Sequence, residues 1–107
     1  MLIMLQPWSP AKLDASGYGP DCWQIHDPVS NPQADVDRMS EDCLYLNIFA
    51  PAGFAGKRGK ARKLLPVMLW LHGGAFMQGS GNRPEYNGIK LAQRDVIVVS
   101  LNYRLGW

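Results

Sequence analysis

Leu65-Pro66-Val67-Met68-Leu69-Trp70-Leu71-His72-Gly73-Gly74-Ala75-Phe76 is the stretch that decides the fold. From Leu65 to Leu71 the residues are apolar without alternation. A strand through them needs cover on both faces, as at the centre of a parallel sheet. Pro66 fits at the first residue of such a strand, where no ladder hydrogen bond is lost. His72 ends the run, and Gly73-Gly74 lets the backbone turn sharply and come close to a ligand. A Gly-rich loop follows from Gly73 to Asn82. The residues from Glu85 to Arg94 are expected to form a helix with Ile89, Leu91 and Ala92 on its packed side. Val96-Ile97-Val98-Val99-Ser100-Leu101-Asn102-Tyr103 then reads as a second strand apolar on both faces. Strand, loop, helix and strand make a βαβ unit, so the two strands should be parallel with a right-handed crossover.

Upstream, Cys43-Leu44-Tyr45-Leu46-Asn47-Ile48-Phe49-Ala50 alternates well enough for a further strand, which Pro51 stops. Residues 1–40 carry Pro7, Pro10, Pro20, Pro28 and Pro32 with Gly17 and Gly19. Such punctuation leaves irregular chain, with at most a short strand or helical turn near the start. The class is therefore α/β: three central strands, one crossover helix and a Pro-rich N-terminal loop region. One helix cannot cover both faces of a sheet with two such strands. Residues 1–107 are accordingly expected to be the incomplete N-terminal part of a single domain, completed by further sequence, a partner chain or self-association.

Composition excludes several classes. Of the 107 residues, 47% are hydrophobic and 19% charged, an ordinary globular balance that argues against disorder from charge excess. No apolar run approaches the ~20 residues of a membrane helix. No basic segment precedes the apolar Met1–Leu5, so no signal peptide is read. The net charge of +2 is too small to imply a nucleic-acid partner. The basic run Lys57-Arg58-Gly59-Lys60-Ala61-Arg62-Lys63 is read as a hairpin-like surface connection in preference to a polyanion site. No metal site, phosphate loop or dinucleotide fingerprint is present, and no cofactor is expected.

His72-Gly73-Gly74-Ala75-Phe76, directly after a buried strand, is the strongest chemical signal. Amides left free by such a turn can converge on a developing negative oxygen, as acyl transfer requires. A loop of this type forms half of the oxyanion hole in α/β-hydrolases. A plain tight turn is the alternative. Glu41 and Asp42 are adjacent and point apart, which favours a structural role over paired acids. Cys22 and Cys43 are the only cysteines, and their spacing suits neither a redox CxxC nor a zinc site. A disulfide closing the loop would stabilise by roughly 3 kcal/mol. Two free buried thiols are the other possibility.

Four segments in order carry a resemblance: Gly19-Pro20-Asp21-Cys22, Ser40 to Asn47 with Pro51, Leu71 to Phe76 with Gly79-Ser80, and Val98 to Gly106. Together they resemble the type-B carboxylesterase/lipase family. That family includes carboxylesterases, bile-salt-type lipases, cholinesterases and non-catalytic adhesion relatives. The resemblance implies a partial α/β-hydrolase fold in which the first strand runs antiparallel and the third lies between the other two. It implies a Cys22–Cys43 disulfide, hence a secreted or endoplasmic-reticulum location. It implies that the backbone N–H groups of Gly74 and Ala75 are oxyanion donors, with Gly73 giving the loop its turn. Ser80, behind that loop, is read as making a turn hydrogen bond. Asn102 and Arg104 are read as fixing the turn after the last strand.

A serine esterase also needs a nucleophile, a base and an orienting acid. None of Ser9, Ser16, Ser30, Ser40, Ser80 and Ser100 lies in a Gly-x-Ser-x-Gly elbow between strand and helix. His26 and His72 have no plausible serine partner. The resemblance places all three groups after Trp107, so the 107-residue chain alone is expected to be inactive. It implies a small-molecule carboxylic ester as substrate of the intact protein. Choline-selective relatives use an aromatic residue inside the disulfide loop. None occurs between Trp23 and Cys43, and Trp23 itself is read as packing. The competing readings are a non-catalytic adhesion or binding protein on the same fold, and a small protein binding through its exposed sheet.

Overall fold

A computed structural model describes residues 15–27, 29, 31–32, 34–54 and 64–106. The basic run 57–63 and the expected short element near the start, within 1–14, lie outside these residues. Three strands form one sheet: β1 (Leu46–Phe49), β2 (Val67–Leu71) and β3 (Ile97–Leu101), in the order β1-β3-β2. β1 pairs antiparallel with β3, and β2 pairs parallel with it. This is the partial α/β arrangement expected, with shorter strands. Beyond the strand ends, Ile97 N–H donates to Pro66 O and Asn102 N–H to Tyr45 O.

The register sorts the side chains by face. Leu46, Ile48, Val67, Leu69, Leu71, Ile97, Val99 and Leu101 are in register on one face. All eight are aliphatic, and Leu46, Ile48, Val67, Leu69 and Leu71 are exposed. The other face carries Asn47, Phe49, Met68, Trp70, Val98 and Ser100. It is covered in part by the crossover segment: Tyr86 tilts on Trp70 at 5.1 Å, and Ala92 is buried. β2 was expected to be a buried central strand. Within this chain it is the edge, and all five of its residues are exposed. The face with Val67, Leu69 and Leu71 has no covering layer among the described residues, and the other is covered only where Tyr86 meets Trp70.

The expected helix over Glu85–Arg94 is also corrected. Pro84–Tyr86 is a 3₁₀ turn, and only Ile89–Ala92, α1, is α-helical. Asn87 and Gly88 separate them. Asn87 Oδ1 accepts from Ile89 N–H at 3.0 Å, a local bond that starts a new turn. Gly88 lies flat on the sheet. A Cβ there would stand 2.7 Å from Val98 Cβ and 2.9 Å from Phe49 Cδ2. Ile89 and Leu91, expected on the packed side, are exposed, and only Ala92 is buried. Gly88→Ala should therefore destabilise a protein carrying this segment by about 1–3 kcal/mol through overpacking. A urea midpoint shifted at constant slope reads that loss.

The described residues between 15 and 45 form no regular strand before β1 and bond the chain at one end of the sheet, at Gly79, Asn82 and Asn102. Cys22 and Cys43 are disulfide-bonded, with Cα atoms 4.9 Å apart and both side chains buried. Beside the bridge, Asp21 pairs with Met39: Asp21 N–H donates to Arg38 O and Ser40 N–H to Asp21 O. Val36–Arg38 forms a 3₁₀ turn capped by the Asp35 carboxylate. Trp23 does not pack as expected, since it is 52% exposed at the rim of the bridge.

Candidate active site

The loop after β2 departs from ordinary backbone geometry. Gly74, Ala75 and Phe76 all have positive φ, at 124°, 53° and 59°. Left-handed backbone costs roughly 1–2 kcal/mol for a residue with a side chain. Two such residues in succession mark a turn held by its surroundings. The Gly74 carbonyl accepts from Met77 N–H at 2.9 Å and from Gln78 N–H at 3.1 Å. The N–H groups of Gly74 and Ala75 donate to no described residue. Ala75 and Phe76 are exposed, and Gly74 is half-buried. Three residues past β2, the chain thus presents two consecutive amides that its own turn does not use.

Gly73 was expected to give the turn. It keeps a negative φ, and a Cβ there would meet nothing within 4 Å. The positive φ values begin one residue on, at Gly74, where a Cβ would overlap the Gln78 carbonyl.

Both ends of the loop are anchored. At the near end His72 is buried. Its ring stacks on Tyr103 with centroids 4.2 Å apart and planes 7° apart. His72 Nδ1 lies 2.8 Å from Gly73 O, so Nδ1 carries the hydrogen, a carbonyl being only an acceptor. Tyr103 Oη–H donates back to His72 O at 2.5 Å. Nε2 of His72 is buried and meets no partner among the described residues. Mid-loop, Phe76 O accepts from Gly106 N–H at 2.8 Å, and the Phe76 ring tilts on Tyr103. At the far end Gly79 has φ 116° and is buried. Gln24 holds it twice: Nε2–H donates to Gly79 O at 2.9 Å, and Gly79 N–H donates to Oε1 at 2.7 Å.

Beyond Gly79 a polar network joins the disulfide segment to the sheet. Ser80 accepts the expected turn bond from Asn82 N–H at 3.0 Å. Its hydroxyl donates to Asp21 at 2.5 Å, with Asn102 Oδ1 at 3.2 Å. Asn82 Nδ2–H donates to the same Asp21 oxygen, and Asn102 bridges Gly81 N–H to Pro20 O. Asn47 Nδ2 reaches Asn82 Oδ1 and Ser100 Oγ. Ser80, Ser100 and Asn102 are all buried, and buried polar groups hold only when paired in this way. Asn102 therefore has the structural role expected. Arg104 is exposed and bonds to no described residue.

No serine–histidine pair forms among the described residues. His26 Nδ1 lies 2.6 Å from Ala34 O, and His72 Nδ1 faces Gly73 O. Asp42 is not half of an acid pair. It accepts from Tyr45 Oη–H at 3.0 Å, a bond that raises the tyrosine pKa above its ordinary value. Two surface depressions, about 240 and 590 Å³, are lined by residues including Tyr18, Pro20 and Met39 and by residues including Phe49, Pro51 and Ile89, and neither borders Gly74. No cluster of potential metal ligands occurs among the described residues. No helix there is long and apolar enough to cross a membrane. Sequence reading missed Gln24 and Tyr103. Tyr103 lay inside a recognised strand end, and Gln24 carried no spacing signal at all.

The chain is similar to known proteins in profile, sequence and overall structure. The Carboxylesterase family profile matches residues 3–107. The para-nitrobenzyl esterase of Bacillus subtilis (strain 168) is 53% identical over 95 residues, covering 88% of this chain and 18% of its own length. The liver carboxylesterase of Sus scrofa is 42% identical over 112 residues, covering 94% of this chain and 18% of its own. A solved PNB esterase structure superposes with a TM-score of 0.66 at 49% identity, over 88% of this chain and 17% of that one. The chain thus spans less than a fifth of the length of these relatives. On the match of profile, sequence and structure, the chain belongs to the carboxylesterase family.

Proposed function

We propose that the protein carrying this chain hydrolyses carboxylic esters through an acyl-serine intermediate, and that this chain supplies oxyanion donors for it. The donors are the N–H groups of Gly74 and Ala75, and Gly73 leads the chain into the turn that carries them. The observation that carries the assignment is the pair of unused amides on the strained turn after β2. Preorganised amides in a site closed to water stabilise the tetrahedral oxyanion more than the ground-state carbonyl. Nucleophile, base and acid belong to sequence outside this chain. That remainder, or a second copy, covers the aliphatic face of the sheet and walls the pocket in front of Gly74. The disulfide supports an oxidising compartment, secreted or in the endoplasmic reticulum. The substrate is a small carboxylic ester, with para-nitrobenzyl esters the first to try in view of the Bacillus relative.

The test is a graft. This chain replaces the matching 95-residue segment of the Bacillus subtilis para-nitrobenzyl esterase. The graft should hydrolyse a para-nitrobenzyl ester within about tenfold of the parent kcat/KM. The isolated 107-residue chain should give no p-nitrophenol burst from a short-chain nitrophenyl ester. A folded but inactive graft overturns the oxyanion assignment. A burst from the isolated chain overturns the placement of the nucleophile elsewhere.

A further inference from the structure

The side-chain amide of Gln24 uses its full hydrogen-bonding capacity. Nε2 has two hydrogens, and they go to Cys22 O at 3.1 Å and Gly79 O at 2.9 Å. Oε1 has two lone pairs, and they accept from Gly79 N–H at 2.7 Å and Asn31 Nδ2–H at 3.0 Å. A primary amide offers two donors and two acceptor sites, and here all four are taken. The assignment of oxygen and nitrogen is fixed by this pattern, because a flipped amide would set donor against donor at Gly79 N–H. Asn31, 1% exposed, is itself held by Ile25 O and by Arg83 Nη2. The chain Arg83–Asn31–Gln24–Gly79 therefore runs from the crossover segment through the disulfide loop to the candidate oxyanion loop.

Gly79 is where that chain acts on the loop. A Cβ on Gly79 would lie 2.5 Å from both Gly73 O and His72 Nδ1. The Gly79 backbone thus packs directly against the start of the turn, and Gln78 N–H, one residue before, bonds Gly74 O. A shift of Gly79 must move Gly73 and Gly74 with it.

We propose that Gln24 is a positioning residue for ester hydrolysis: by clamping both polar groups of the Gly79 backbone it sets where the Gly74 and Ala75 amides stand. The proposal rests on the oxyanion reading above. No other side chain reproduces the clamp. Glutamate keeps the acceptor for Gly79 N–H but turns a carboxylate oxygen on Gly79 O. Methionine keeps the volume and loses every bond.

The test uses Gln24→Met and Gln24→Glu in the graft with the Bacillus esterase. Misplacing reacting groups by about 1 Å costs up to about 10²-fold. Each variant should lose about 10- to 100-fold in kcat with KM within about twofold, and the affinity for a trifluoromethyl ketone transition-state analogue should weaken in parallel. A merely structural glutamine would lower the unfolding midpoint and leave kcat of the folded enzyme alone. If Gln24→Met does not fold, Gln24→Glu carries the test. Folded variants with kcat within twofold of the parent graft overturn the proposal. Gly74→Ala separates the two ideas: if it too leaves kcat unchanged, the oxyanion reading itself has failed. If it abolishes turnover while Gln24→Met does not, only the role of Gln24 is lost.

Discussion

Gly74→Ala in the graft is expected to lower kcat and kcat/KM together by about 10²–10³, the effect of losing an oxyanion donor. Two independent features require glycine there. The backbone φ of 124° lies where side-chain-bearing residues are strained, and the methyl would overlap the Gln78 carbonyl. The loop can relieve that overlap only by moving Gln78 away or by returning Gly74 to negative φ. Either movement breaks the Gln78 N–H bond to Gly74 O and shifts the backbone that carries the Gly74 and Ala75 amides. Those amides act on charge that exists only in the transition state, so KM should stay within about threefold. Gly17→Ala is the matched control, because its methyl meets nothing within 4 Å and its φ is not positive. Gly74→Ala with full turnover would show that the strained turn is not the oxyanion site.

The sequence made β2 and its loop legible for a physical reason. Unbroken apolarity from Leu65 to Leu71 followed by Gly73-Gly74 leaves few structures other than a strand entering a tight loop. The antiparallel placement of β1 and the central position of β3 came only with the family resemblance, since strand order is a long-range property. Sequence reading failed where local signals conflicted. Between Glu85 and Arg94 the residues Tyr86, Ile89 and Ala92 keep a helical spacing, but Asn87-Gly88 divides the segment. The constraint that decides it, contact of Gly88 with Val98 and Phe49, is tertiary.

The polar supports of the loop were the least legible. Asp21, Ser80, Asn82 and Asn102 are each ordinary turn residues by type, and only the fold brings them into one buried network. Gln24 is an extreme case, 55 positions from the glycine it clamps. Exposure misled in the opposite sense. β2 reads as a core strand because its residues are chosen for burial, yet all five are exposed and only Trp70 meets a ring from the crossover segment. The apolar pattern records an environment that this chain does not provide by itself.

Removing the Cys22–Cys43 bridge should cost about 3 kcal/mol of stability, the chain-entropy value for a loop of this length. Hydrogen bonds within the loop oppose that effect. Asn31 N–H to Asp27 O, His26 Nδ1 with Ala34 O, and the Asp21–Met39 pairing already organise the loop internally. They do not, however, close it in the unfolded chain, which is where a covalent link acts. The loss should therefore appear as a lower urea midpoint when the graft is treated with a strong reductant. Cys22→Ala with Cys43→Ala should show the same lowered midpoint and no further response to reductant. Because Gln24 lies two residues from Cys22, and its Nε2–H bonds Cys22 O, the reduced enzyme should also lose kcat before it unfolds. Oxidised and reduced grafts that unfold within about 1 kcal/mol of each other would mean that the hydrogen-bonded loop, and not the bridge, carries the constraint.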